Sequence, residues 1–266
     1  MKSHVKLPRR HNVAVRDVEV HVMKLLVSVR NAQEARAAVA GSADWIDLKE
    51  PAAGALGAVS AAIARAAVNA VEDACLNSAA LGELMDWPNS SGLLAIPEIQ
   101  VVKLGLANCG QLADWSSRWM SVFEMCFEQK KQLAAVIYAD WQNANAPHPE
   151  EILECMLRAG GKYLLIDTFD KQGLSSIEIL GREYMVRLLR LAKESGLTTA
   201  VAGRLQVNDL ANIASWPVDI VAIRGAACAG DRNSTIDAGR IRQFRRCLEI
   251  ANENAKVLNL CLPTRG

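Results

Sequence analysis

One unit recurs along most of this chain: a short run of β-branched and other apolar residues, then a polar loop, then a segment with apolar residues at three-to-four spacing. Eight such runs fall at residues 24–29, 45–49, 75–80, 100–104, 134–140, 163–168, 198–202 and 220–224. Helices are expected at 32–40, 61–71, 111–129, from Pro149 onward, at 176–195 and at 237–252. Pro149 followed by Glu150 and Glu151 suits the positive end of a helix dipole, and Gly196 stops the helix before it. The unit after the third run is the weakest, because a loop of Asp, Trp, Pro, Asn and Ser blurs its helix. Eight alternating units in a 266-residue chain match a parallel (β/α)8 TIM barrel better than a doubly wound sheet, which seldom needs eight equal repeats. We therefore expect one α/β domain over residues 23–254, preceded by a polar, poorly ordered extension (1–22) and followed by a tail (255–266) without functional signal.

Composition narrows the function. A 51% hydrophobic content supplies a large core, and 30 basic against 29 acidic residues leave no charge run suited to nucleic acid or an anionic membrane. No apolar stretch reaches the length of a membrane helix, and the seven cysteines form no C-x-x-C pair, so a soluble, cytoplasmic protein with reduced thiols is expected. Three of the four histidines precede residue 22, and no zinc-ligand spacing occurs. We expect no metal and no cofactor; acid, base and nucleophilic work falls to lysine and carboxylate.

The stretch WIDLKEP (45–51) carries the first candidate. Strand alternation puts Asp47 and Lys49 on one face, and if that face is an interior, two charges are buried. Burial lowers a lysine's pKa towards the range where its free amine is a nucleophile. The competing reading is a solvated strand end, and this segment alone favours it. The barrel changes the balance. Active sites of this fold lie at the C-terminal strand ends, and alternate strands feed one layer. Lys49, Lys103 and Asp167 end the second, fourth and sixth runs, with Asp47 one step deeper, Lys171 four residues beyond Asp167, and Asp140 ending the fifth run at the rim where substrate would bind. Clustered ammonium groups disfavour each other's charge and make one lysine a nucleophile near neutral pH, which points to Schiff-base chemistry on aldehydes or ketones. The last two strands end in Ala202-Gly203-Arg204 and Arg224-Gly225-Ala226, where barrels commonly bind phosphate; Gly203, Arg204, Gly225, Ala226 and Arg232 are the candidates there. The alternative is tight-turn glycine without a ligand.

Other features read as structure. Trp115, Trp119, Phe123 and Phe127 form a packing or subunit-facing stripe, from which a homo-oligomer is expected, and Lys130 and Lys131 read as a solvated helix end.

Together LLVSV (25–29), ADWIDLKEP (43–51), GALGAV (54–59), VKLGL (102–106), YAD (138–140), IDTFDKQG (166–173) and RGAACAGDR (224–232) resemble the (5-formylfuran-3-yl)methyl phosphate synthase family from Met23 to Asp237. The resemblance implies a (β/α)8 lyase of methanofuran biosynthesis that joins two glyceraldehyde 3-phosphate molecules into a phosphorylated furan aldehyde. It also implies that Lys49 forms the Schiff base, that Lys103 accepts and donates protons, and that Asp47, Asp167 and Lys171 are supporting charges. Ser42, the loop after the third strand and the segment around Gly230 depart from the family pattern. Two other readings stay open: another Schiff-base aldolase or isomerase of phosphorylated sugars, and a phosphate-ligand sensor without catalysis.

Overall fold

The computed structural model describes residues 22–261, so the expectation for residues 1–22 lies, Val22 apart, outside the described residues. Eight strands, β1 (Lys24–Val29), β2 (Trp45–Leu48), β3 (Leu76–Glu83), β4 (Ile99–Gly105), β5 (Gln132–Tyr138), β6 (Tyr163–Asp167), β7 (Thr198–Val201) and β8 (Ile220–Ile223), pair in chain order, and β8 returns to β1. Every pairing is parallel, and the result is a closed barrel. A strand covered on both faces is apolar along most of its length, which is why LLVSV, Ser28 apart, and LAAVIY read as apolar runs. Leu25, Val27 and Val29 pack outward against the helices, whereas Leu26 packs inward with Trp45, Val101, Ala134, Leu165 and Ile220.

The helices are α1 (Ala32–Ala40), α2 (Ala61–Asn69), α3 (Trp115–Glu128), α4 (Pro149–Arg158), α5 (Ser176–Leu180), α6 (Arg182–Glu194), α7 (Leu210–Ile213) and α8 (Ala238–Cys261). Their starts follow local chemistry. The Asn31 side chain accepts from the Glu34 N–H at 3.0 Å, and Ser175 forms a reciprocal capping box with Glu178. Pro149 opens α4 as its sequence indicates. The first strand is tied to the last helix: Met23 N–H donates to Asn252 Oδ1 at 3.0 Å, and Asn252 Nδ2 donates to Met23 O at 3.1 Å.

Several expectations need correction. The single helix expected at 176–195 is two, broken at Gly181, whose φ of 71° no helix accommodates. No α-helix follows β3; two 3-10 turns, Leu84–Asp86 and Ser91–Leu93, bridge to β4. The helix expected at 111–129 begins at Trp115, and its aromatic stripe divides: Trp119 is buried and stacks on Phe123, while Phe127 is 68% exposed. The last helix passes residue 252 and runs to Cys261, absorbing part of the expected tail. Lys131 is no solvated helix end but is buried, with Nζ donating to Ile96 O at 2.6 Å and Ile99 O at 2.7 Å. Strands β2, β6, β7 and β8 each stop one residue short of expectation, and β5 stops two short, leaving Asp140 in the following loop.

Candidate active site

Inward-facing positions change character along the barrel axis. The lower layers are apolar. At the C-terminal end, period-two alternation delivers Ser28 from β1, Asp47 and Lys49 from β2 and its end, Ser78 from β3, Lys103 from β4 and Asp167 from β6. Each is buried, with Asp47 1%, Asp167 2%, Lys103 5% and Lys49 7% exposed. Ionised groups this far from water persist only when paired and hydrogen-bonded.

The pairing is explicit. Asp47 forms an ion pair with Lys103 and accepts from Ser78 Oγ at 2.9 Å and Ser28 Oγ at 3.2 Å. Asp167 divides its oxygens: Oδ2 accepts from Lys49 Nζ at 3.3 Å, and Oδ1 accepts from Lys171 Nζ at 2.6 Å and from the Thr168 N–H at 2.8 Å. Three lysines thus share two aspartates. Burial pushes the Lys103 pKa down against the pull of Asp47, with Lys49 adding to the depression. Burial likewise brings Lys171 down to about 8, Asp167 opposing and Lys49 assisting. Burial alone raises Asp167, but the Lys171 and Lys49 ammonium groups outweigh it and hold the carboxyl well below the usual carboxylate range.

The remaining sequence candidates take up different posts. Asp140 accepts from the Phe169 and Asp170 N–H groups at 2.7 and 2.8 Å, bracing the loop that carries Lys171. Arg204 donates to Lys171 O at 2.6 Å and braces the same loop from the β7 side. Gly203, at φ 89°, is buried where an added Cβ would press on Thr168 and Ser176. Gly225 and Ala226 open a 3-10 turn, Gly225–Ala227, whose first N–H groups have no partner within the turn, and space is open beside Gly225. Arg232 is half-buried; burial lowers its pKa while the Asp167 charge raises it, so the guanidinium stands within the field of the site. The structure brings Lys49, Lys103, Lys171, Asp47, Asp167 and Arg232 into one electrostatic cluster, with Asp140 and Arg204 behind it.

Sequence reasoning missed six contributors. Ser28 and Ser78 are polar residues at inward positions of otherwise apolar runs, a signal visible in LLVSV and LNSAAL. Arg224 is buried, donating to Glu34 at 2.9 Å, Ser28 O at 3.0 Å and Arg232 O at 2.7 Å, so the Glu34–Arg224 pair sets the path of the Arg232 loop. Burial raises the Glu34 pKa, but Arg224 and Arg30 bring it below its ordinary value. Glu83 and Tyr138 complete the set, the tyrosine hydroxyl donating to Glu83 Oε1 at 2.6 Å. Among the described residues no group of three or more potential metal ligands converges, and no helix is long and apolar enough to cross a membrane.

The family model described as 4-HFC-P synthase matches residues 25–245. A (5-formylfuran-3-yl)methyl phosphate synthase from Methanosarcina barkeri is 31% identical over 221 residues, covering 80% of this chain and 94% of its own. One from Methanothermobacter thermautotrophicus is 30% identical over 234 residues, covering 85% and 99%. Among solved structures, 3-hexulose-6-phosphate synthase from Salmonella typhimurium superposes with a TM-score of 0.57 at 18% identity, covering 86% of this chain and all of that one. That last likeness concerns the barrel alone.

Proposed function

The chain belongs to the 4-HFC-P synthase family, and from that premise we propose that it condenses two molecules of glyceraldehyde 3-phosphate into (5-formylfuran-3-yl)methyl phosphate through a Schiff base on Lys49, as a lyase of methanofuran biosynthesis. The observation that carries this reading is the Lys49 amine, buried at the barrel mouth and held by a single carboxylate oxygen at 3.3 Å, with the Asp47–Lys103 ion pair below it.

In this mechanism the Lys49 amine adds to the aldehyde carbon of one triose phosphate and water leaves, giving an iminium. Its positive nitrogen draws electrons from the adjacent carbon. The neutral form of Lys103, favoured by burial, takes the proton released there, and the ion pair with Asp47 is the state that results. The enamine then attacks the aldehyde of a second triose. Loss of inorganic phosphate, ring closure and dehydration leave one phosphate on the product, and hydrolysis of the imine gives the aldehyde and frees the Lys49 amine. Asp167 stays ionised throughout and opposes the iminium charge, while Lys171 fixes the orientation of that carboxylate. Arg232 and the N–H groups at Gly225 and Ala226 hold phosphate; Gly203, Arg204 and Asp140 shape the loops around it. An assembly of identical subunits, with exposed Phe127 of α3 in its interface, is part of the same reading.

Borohydride added with glyceraldehyde 3-phosphate tests the covalent step. The reduced adduct is expected on the peptide containing Lys49, with furan aldehyde phosphate and free phosphate formed in its absence. Lys49→Arg loses both, since a guanidinium forms no imine. Furan product without any modified lysine would defeat the mechanism.

A further inference from the structure

β3 carries an irregularity at the site. Ala80 pairs with Lys103 and the next pair is Glu83 with Gly105, so β3 spends three steps where β4 spends two. Counting from inward Ser78, regular alternation would turn Ala80 and Gly82 to the interior and Glu83 away from it. The extra residue, with Gly82 at φ 86°, reverses this and aims Glu83 across the mouth. Space for the side chain comes from Gly105, where an added Cβ would overlap both the Glu83 carboxylate and the Tyr138 hydroxyl. The carboxyl group is held at both oxygens: Oε1 accepts from Tyr138 OH at 2.6 Å and Oε2 accepts from the Ala107 N–H at 2.9 Å. A bulge, a missing Cβ and two oriented donors position one acid that the Lys49–Lys103–Asp167 scheme leaves unused.

We propose that Glu83 is a further catalytic acid of this site, protonating the carbonyl oxygen of the second aldehyde as the enamine on Lys49 attacks it. The inference rests on the Schiff-base reading above. In the step, the enamine carbon forms a bond to the carbonyl carbon, and the C=O π pair moves to oxygen and takes the Glu83 proton. The neutral enamine becomes an iminium and the neutral acid a carboxylate, so charge is conserved and the two new charges face each other. The new carboxylate keeps its bonds from Tyr138 and Ala107. The groups whose charge or titration acts on Glu83 are Lys49 from β2, Asp86 from the turn after β3, Cys109 from the loop after β4 and Tyr138 from β5. Burial raises the Glu83 pKa, the Tyr138 and Ala107 bonds and Lys49 lower it, and Asp86 raises it; the outcome lies above the ordinary glutamate value, which favours the protonated form the step requires.

The test uses three variants of the full chain, Glu83→Gln, Glu83→Asp and Tyr138→Phe, with borohydride trapping and product formation measured across pH. Glu83→Gln is expected to keep the Lys49 adduct with the first triose while losing product formation by about 10²-fold or more, the range of a general acid. It is also expected to lose the decline in rate expected of wild type as pH rises through the Glu83 pKa. Glu83→Asp restores part of the rate, and Tyr138→Phe shifts the decline to higher pH, because the hydroxyl bond lowers the Glu83 pKa. Turnover of Glu83→Gln within twofold of wild type, an unchanged pH profile in Tyr138→Phe, or loss of the adduct in Glu83→Gln while wild type forms it would each overturn the assignment. Absence of an adduct in wild type itself would instead remove the Schiff-base reading, and the Glu83 step with it.

Discussion

Lys171 holds Asp167 more closely than Lys49 does: its Nζ lies 2.6 Å from Oδ1, whereas Lys49 Nζ stands 3.3 Å from Oδ2. One carboxylate at the end of β6 therefore keeps one amine fixed and the other loosely engaged. The loose amine is the one the proposed chemistry needs to release towards a carbonyl carbon. The fixed one keeps the carboxylate in place when that happens.

Removing the shared charge strands both partners. Asp167→Asn leaves the buried Lys49 and half-buried Lys171 ammonium groups without this counter-ion, so we expect a loss of about 3–5 kcal/mol in urea denaturation and no detectable product. Adding Lys171→Met removes one of the stranded charges and regains part of the stability but none of the activity. A single variant within about 1 kcal/mol of wild type would contradict the buried pairing.

Lys171 titrates at about 8 in the folded protein against an ordinary value of 10.5. It carries charge below about pH 8 and loses it above, so affinity for a phosphorylated substrate falls as pH rises through that value, and Lys171→Arg moves the fall upward. The same shift affects stability. The unfolded chain binds this proton more readily, so the contribution of Lys171 to stability rises with pH between about 8 and 10.5. Measurements of KM and of urea midpoint against pH check the two effects separately.

The two glycines at the ends of β7 and β8 differ in what they tolerate. Gly203→Val meets Thr168 and Ser176 and imposes φ 89° on a β-branched residue, so it destabilises the fold by about 1–3 kcal/mol whatever it does to binding. Gly225→Val enters open space beside the 3-10 turn, and we expect an unchanged thermal midpoint with a raised KM for triose phosphate. An unchanged KM there would remove the phosphate assignment from this turn.

Lys131 offers a control remote from the chemistry. Its ammonium donates to the carbonyls of Ile96, ahead of β4, and Ile99, its first residue, and burial lowers its pKa. Lys131→Met keeps the aliphatic stem but removes the ammonium donor from these buried carbonyls, at a cost of about 1–3 kcal/mol with kcat unchanged.

What could be read before folding depended on period. Eight strand runs at regular intervals specified the barrel, and because alternate strands share a layer, Lys49, Lys103 and Asp167 could be placed at one level from their positions alone. Glu83 escaped the same counting because a bulge breaks the period between Ala80 and Glu83, and nothing in LNSAALGE marks an extra residue except its glycine. Lys131 escaped because its acceptors lie more than thirty residues earlier, so only the packed chain shows that the helix end is buried. Arg204 and Asp140 were recognised as polar groups near the rim, but their hydrogen bonds to loop backbone are tertiary facts with no local signature.

The bond between Met23 and Asn252 joins residues 229 positions apart, and the β1–β8 pairing beside it spans nearly as far. On a ribosome adding about 5–20 residues each second, the first strand waits roughly ten to fifty seconds for its last neighbour to exist. Throughout that interval β1 presents an unpaired, apolar edge, the kind of surface that adds strands from other chains. Closure of the ring therefore sets a period of vulnerability during synthesis, and substitutions that weaken the Asn252 clasp should lower the yield of folded protein more than they lower the stability of the molecules that complete it.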